Sequence, residues 1–149
     1  MEQKLLPPRL FQIALVLMVT LDVLFGARPI TAQGPALFAG IALAVLGTFL
    51  TIGGAGQFSR NKTNINTFLK PDHLVTDGLF SLSRNPMYLG FACVLAGVAV
   101  TLDSFYGLVI AGTFVIIADR WYIRFEEGVM AETFGEAYVS YCKKTRRWL

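Results

Sequence analysis

PMYLGFACVLAGVAVTLDSFYGLVIAGTFVIIA, residues 86–118, decides how this chain folds. Two apolar runs, 86–102 and 105–118, are parted only by Asp103 and Ser104. Neither run keeps a polar face, so neither reads as a helix on the surface of a water-soluble domain. They read as two membrane helices folded back on each other, with Asp103 and Ser104 as the turn of a tight hairpin. Working outward, residues 10–27 and 35–52 are two more runs of the same kind. At about 1.5 Å per residue the three longer runs reach about 25 to 27 Å, close to the roughly 30 Å of a bilayer core. The run 105–118 is short unless residues 119–122 extend it. Composition agrees: 54% of the 149 residues are hydrophobic and only 15% charged, against roughly 25% charged in a typical soluble domain. The mean hydropathy is +0.56. The expected fold is all-α and polytopic, with four transmembrane helices in a single domain, 1–149. Residues 1–55 hold two N-terminal spans, and 56–149 hold a loop, the hairpin and a C-terminal helix.

Charge sets the expected orientation. Of thirteen lysines and arginines, twelve lie before the first run, between the second and third, or after the fourth; Arg28 alone falls on the other side. By the positive-inside rule both termini and the long 53–85 loop face the cytoplasm, in the inner membrane of a bacterium or archaeon. A signal peptide cut after Ala27 would put bulky Phe25 where a small residue is wanted, so the first span is expected to be retained. The net charge of +3 is thus placed beside the bilayer, and no nucleic-acid partner is expected. In the tail, Met130, Phe134, Tyr138 and Tyr141 recur at helical spacing, which predicts an amphipathic cytoplasmic helix broken near Gly135.

Chemistry is expected at the inner face. Arg84, Asn85 and Pro86 read as a helix start, with Asn as N-cap and Pro in the first turn. Its free amides and Arg84 favour an anion; a plain helix start with a snorkelling arginine is the other reading of the same residues. Tyr88, one turn in, either covers a ring or marks the interface. Glu126 and Glu127 point about 100° apart on a helix, which suits holding a cation or ribose hydroxyls better than paired acid-base work; a salt-bridged helix face is the alternative. His73 is the only histidine, so a multi-histidine metal site is excluded. Cys93 and Cys142 form no CxxC pair. Gly53, Gly54 and Gly56 are expected to stop the second helix. Asp22, inside the first run, is expected to reach the interface near Arg28.

The order of these pieces resembles a known superfamily. HLVTDGLFSLSRNPMYLG at 73–90, a hydrophobic hairpin, IRFEE at 123–127, FGEAY at 134–138 and then Tyr141 look like the isoprenylcysteine carboxyl methyltransferase and phospholipid methyltransferase superfamily. The likeness spans residues 63–148. Members are integral membrane enzymes that use S-adenosylmethionine without a Rossmann domain. The resemblance implies a cytoplasmic cofactor pocket formed by Lys70, His73, Leu74, Val75, Gly78, Phe80, Arg84, Asn85, Pro86, Tyr88, Glu126 and Glu127. Arg84 and the helix amides suit the cofactor carboxylate, either glutamate its ammonium or ribose, and Phe80 or Tyr88 its adenine. Arg124 and Glu127 are the expected catalytic residues, Arg124 orienting the acceptor and Glu127 helping to position it or removing a proton. Many members carry histidine in place of Asn85 and tyrosine in place of Phe80, and prenylcysteine-type members carry arginine in place of Tyr122.

The resemblance therefore implies methyl transfer from S-adenosylmethionine to a lipophilic acceptor: a prenylcysteine-like carboxylate, a phospholipid amine or a thiol. The acceptor would enter from the lipid bilayer. Two alternatives stand beside it, a nicotinamide-dependent membrane reductase and a non-catalytic membrane protein or transporter. Four short spans bury little surface, which leaves room for a homodimer.

Overall fold

A computed structural model describes residues 6–25, 34–61 and 71–149, and among them every regular element is helical. The order is α1 (Pro7–Phe25), α2 (Pro35–Arg60), the single turn α3 (Leu79–Leu82), α4 (Pro86–Thr101), α5 (Phe105–Ile117), a π-helical segment (Ala118–Ile123), α6 (Arg124–Phe134) and α7 (Glu136–Lys144). From α5 through the π segment to α6 the helix is continuous, Phe105–Phe134. This helix, α1 and α2 are each long and apolar enough to cross a bilayer; α4 is apolar but only 16 residues long, about 24 Å. Among the described residues three candidate spans are therefore present, where the sequence reading expects four.

The hairpin forms at the expected place. Ser104 caps α5 through its side chain, accepting from the Gly107 N–H at 3.2 Å, and Asp103 takes a left-handed conformation, φ 52°, to turn the chain. Asn85 differs from expectation. It precedes Pro86 at the head of α4, but its side chain makes no cap and donates instead to the Arg147 carbonyl at 3.0 Å.

The glycines of α2 are also read differently by the folded chain. Gly53, Gly54 and Gly56 do not stop the helix, which runs on to Arg60. The cause is tertiary. Gly40, Gly47 and Gly54 recur every seven residues along the buried face of α2, and α2 lies antiparallel to α4 with almost no space between backbones. A Cβ at Gly47 would sit 2.5 Å from the Gly90 carbonyl, one at Gly97 would sit 2.6 Å from the Gly40 carbonyl, and one at Gly54 would sit 2.8 Å from Met87. Where the surroundings are as apolar as the side chains, close backbone packing between small residues is what joins helices.

On its other side α4 packs against α5 and α1. Phe11 stacks on Phe91 at 4.6 Å between ring centroids, and Phe114 meets both rings edge-on at 6.5 and 6.2 Å. Such aromatic pairs add about 0.5–1.5 kcal/mol each beyond burial. Met18 and Leu95 are fully buried in the same cluster. Apolar side chains elsewhere point outward: Val23 is 77% exposed and Phe38 73%. An outside this rich in large apolar groups is the pattern of a membrane protein.

Candidate functional site

The elements that follow the long helices converge at one end of the α4–α5 hairpin. Gln57, in the last turns of α2, accepts from the Leu79 N–H at 2.9 Å and donates to the Asp77 carbonyl at 3.1 Å. This clamp fixes the turn ahead of α3. Gly78 fits between only because it lacks a side chain: its φ is 55°, and a Cβ there would lie 2.2 Å from Gln57 Nε2. α3 then buries Phe80 against Phe58, 4.8 Å between centroids, and the Tyr141 hydroxyl donates to the Phe80 carbonyl at 2.5 Å. The loop before α4 is thereby pinned to α7.

The charged residues meet in the space so defined. Arg84 Nη2 lies 2.6 Å from Glu127 Oε1, and Arg84 Nη1 donates to the Thr145 carbonyl at 2.8 Å. The backbone N–H of Arg84 donates to the Arg146 carbonyl at 3.0 Å. Arg84 Nε, buried, has no acceptor among the described residues. Tyr88 donates its hydroxyl to Glu126 Oε1 at 2.8 Å. One acid thus faces a phenol and the other a guanidinium, as their divergent directions on a helix require.

What aims them is the π-helical segment. It inserts an extra residue into the helical repeat between α5 and α6, and so shifts everything after it by about 100° relative to an unbroken α-helix. Tyr122 and Ile123 are buried within it while Trp121 faces outward, 73% exposed. Nothing in the sequence announces this segment.

Between these groups lies a cavity of about 100 Å³. Its walls are aromatic, from Phe58, Phe80, Tyr88, Phe91, Tyr138 and Tyr141, and one end carries Arg84, Glu126 and Glu127. Burial raises the Tyr138 phenol far above its ordinary range, with the Glu127 charge adding to it. Burial likewise pushes Tyr141 up to about 12. Both therefore stay protonated as hydrogen-bond donors at neutral pH. At Arg84 burial works against the charge, yet the hydrogen bond and charge of Glu127 outweigh it and the guanidinium is held above its usual value.

Of the residues singled out from sequence, Val75, Phe80, Arg84, Asn85, Pro86, Tyr88, Glu126 and Glu127 all line this cavity. His73 and Gly78 are exposed and Leu74 half-buried; none of the three lines it, although Gly78 shapes the turn beside it. Arg124 is exposed at the start of α6 and also outside the lining. Lys70 lies outside the described residues. Sequence reasoning did not place Phe58, Phe91, Met130, Tyr138 or Tyr141 in the site. For the last two a signal existed, since tyrosines three apart share one helix face.

It also missed the segment after α7. Arg147 joins Glu127 through Nε at 3.1 Å and through a closer contact of Nη2 with Oε2. Its Nη1 reaches Asp119 at 3.2 Å, and the Trp148 indole donates to the same Asp119 oxygen at 2.9 Å. Chemically, the cavity pairs flat apolar walls with an end that carries both signs of charge. Such a space suits a zwitterion attached to a planar ring.

The family model for phospholipid methyltransferase matches residues 35–137. A curated relative, protein-S-isoprenylcysteine O-methyltransferase B of Arabidopsis thaliana, is 27% identical over 110 residues, covering 70% of this chain and 54% of the relative. The chain thus spans about half the length of the curated relative it matches. No solved structure matches it.

Proposed function

The chain belongs to the phospholipid methyltransferase family, and on that premise we propose that it is a membrane-embedded methyltransferase acting from S-adenosylmethionine on a lipophilic acceptor. The observation that carries this reading is the Arg84–Glu127 pair in the lining of an aromatic-walled cavity. A guanidinium in the lining offers charge-assisted hydrogen bonds to the carboxylate of an amino-acid ligand, and the carboxylate beside it suits that ligand's ammonium.

In this assignment Arg84 holds the cofactor's carboxylate, Glu127 its ammonium, and Glu126 with Tyr88 the ribose hydroxyls. Phe80, Phe58 and Tyr138 face the adenine, while Val75, Asn85 and Pro86 complete the walls. His73, Leu74 and Gly78 belong to the segment that leads into the site, and Lys70 keeps the cofactor-binding role that the sequence resemblance implies. The bound cofactor supplies a methyl group on a sulfonium, which needs neither a covalent enzyme intermediate nor a nucleophile from the chain. The protein's share is to orient donor and acceptor and to exclude water. Arg124, outside the cavity, is assigned to orienting the acceptor, and Glu127 to helping position it. Full turnover of Arg124→Ala at saturating acceptor removes Arg124 from the reaction.

The acceptor reading rests on the solvent the helices require. A lipid-soluble molecule reaches the site from the bilayer, and the curated relative's printed substrate, an isoprenylcysteine, is of that kind. A phospholipid amine and a lipophilic thiol are the other classes. The direct test is calorimetric titration of the full chain in detergent with S-adenosylmethionine and, separately, with NADPH. Micromolar binding of the first and none of the second is expected; binding of NADPH alone overturns the assignment. Labelled donor incubated with lipid extract, a prenylcysteine analogue and small thiols then identifies the acceptor by which fraction takes up label.

A further inference from the structure

The Glu127 carboxylate is engaged more fully than one ion pair requires. Arg84 takes Oε1, while Arg147 spans both oxygens, Nε on Oε1 and Nη2 on Oε2. Arg147 is in turn held from behind. Its Nη1 donates to Asp119, whose carboxylate is fixed by the Trp148 indole. Its carbonyl accepts from Ser83 Oγ at 3.3 Å and Asn85 Nδ2 at 3.0 Å. Arg84, Glu127, Arg147 and Asp119 therefore form one alternating chain of charges, which the exposed Arg120 joins at Asp119, 3.5 Å away, and only a planar fork of donors can bridge two acids in this way. The Glu127 bond raises the Arg147 guanidinium above its ordinary value, against the opposing effect of burial.

The two arginines compete for one carboxylate. With Arg147 in place, Glu127 cannot close on Arg84 alone. Without Arg147, Oε2 loses its donor in a partly buried place, and the carboxylate would turn fully onto Arg84, the remaining cation within reach. We infer that Arg147, anchored by Asp119 and Trp148, is a positioning residue of the cofactor site. It sets the Glu127 carboxylate and keeps Arg84 open to the carboxylate of the methyl donor. This rests on the methyl-donor reading above.

The test compares two ligands that differ only in the part Arg147 governs. S-adenosylhomocysteine carries the amino-acid group; 5′-methylthioadenosine keeps the nucleoside and thioether but lacks it. Both are titrated calorimetrically into the full chain in detergent. Arg147→Gln is expected to weaken S-adenosylhomocysteine about tenfold or more, equivalent to about 1.4 kcal/mol, and to leave 5′-methylthioadenosine within about twofold. Arg147→Lys restores part of the loss, since an ammonium reaches Glu127 but cannot also hold Asp119. The double variant Asp119→Asn, Trp148→Phe shows a smaller loss of the same ligand-selective kind, and it carries the test if Arg147→Gln does not fold. Equal weakening of both ligands, as a general folding defect would give, overturns the inference, and so does unchanged affinity for both. If the unaltered chain binds neither ligand, the methyl-donor reading itself fails and the inference goes with it.

Discussion

At the scale of single residues, the site is held by hydrogen bonds whose donors stay protonated far above neutral pH. Tyr141 ties α7 to α3 through the Phe80 carbonyl, and losing one such bond costs about 1 kcal/mol. Its phenol is raised from an ordinary value of 10.0 to about 12, and a raised acid gives stability that is complete below the unfolded value and disappears as pH climbs through the folded one. The melting temperature of the unaltered chain should therefore exceed that of Tyr141→Phe by a constant margin from pH 7 to about 9, and the margin should shrink between about pH 10 and 12. A margin that widens with alkali contradicts the assignment. Which residues matter was partly legible. Arg84, Tyr88 and the adjacent glutamates stood out because charge or aromaticity beside an apolar run is conspicuous. Arg147 and Trp148 did not, because their meaning comes from Glu127 and Asp119, 20 and 29 residues earlier.

At the scale of elements, two devices decide the geometry. The first is the glycine contact between α2 and α4. Gly97→Ala forces a Cβ to within 2.6 Å of the Ala44 amide nitrogen and the Gly40 carbonyl; backbone cannot yield cheaply, so a loss of about 1–3 kcal/mol is expected, as for overpacking. Gly112→Ala in α5 meets nothing within 4 Å and should be neutral or stabilising by up to about 1 kcal/mol, the helix propensity difference. Thermal melts of both variants in one detergent check the contrast, and equal effects would mean that α2 and α4 do not touch there. The second device is the π-helical segment. Deleting Trp121, which faces outward, should restore a regular helix and turn Glu126 and Glu127 by about 100°. Helical content by circular dichroism should hold while S-adenosylmethionine binding falls at least tenfold, about 1.4 kcal/mol. Retained binding would show that the segment does not aim the acids.

At the scale of the whole molecule, we propose four crossings with both termini on the cytoplasmic side. The 16 residues of α4 are short for a bilayer of roughly 30 Å, a mismatch met by local thinning or by flanking residues at the interfaces. With the native cysteines replaced by alanine, Arg60→Cys and Glu136→Cys should react with an impermeant thiol reagent only from the cytoplasmic side, and Leu102→Cys only from the opposite side. Labelling of position 102 from the cytoplasm removes the fourth crossing. Sequence alone determined the solvent of this protein, the helical class, the hairpin and the grouping of its charges outside the apolar runs. Each follows from local composition, because burying backbone in lipid leaves a helix as the way to satisfy it within one segment. Only the tertiary structure decided that Arg84 pairs with Glu127, that Arg147 divides that carboxylate, that α2 runs on through its glycines and that a π-helical segment aims the acids. Those outcomes depend on which backbones and charges come within a few ångströms of each other, and a distance between residues far apart in the chain is written in no local pattern.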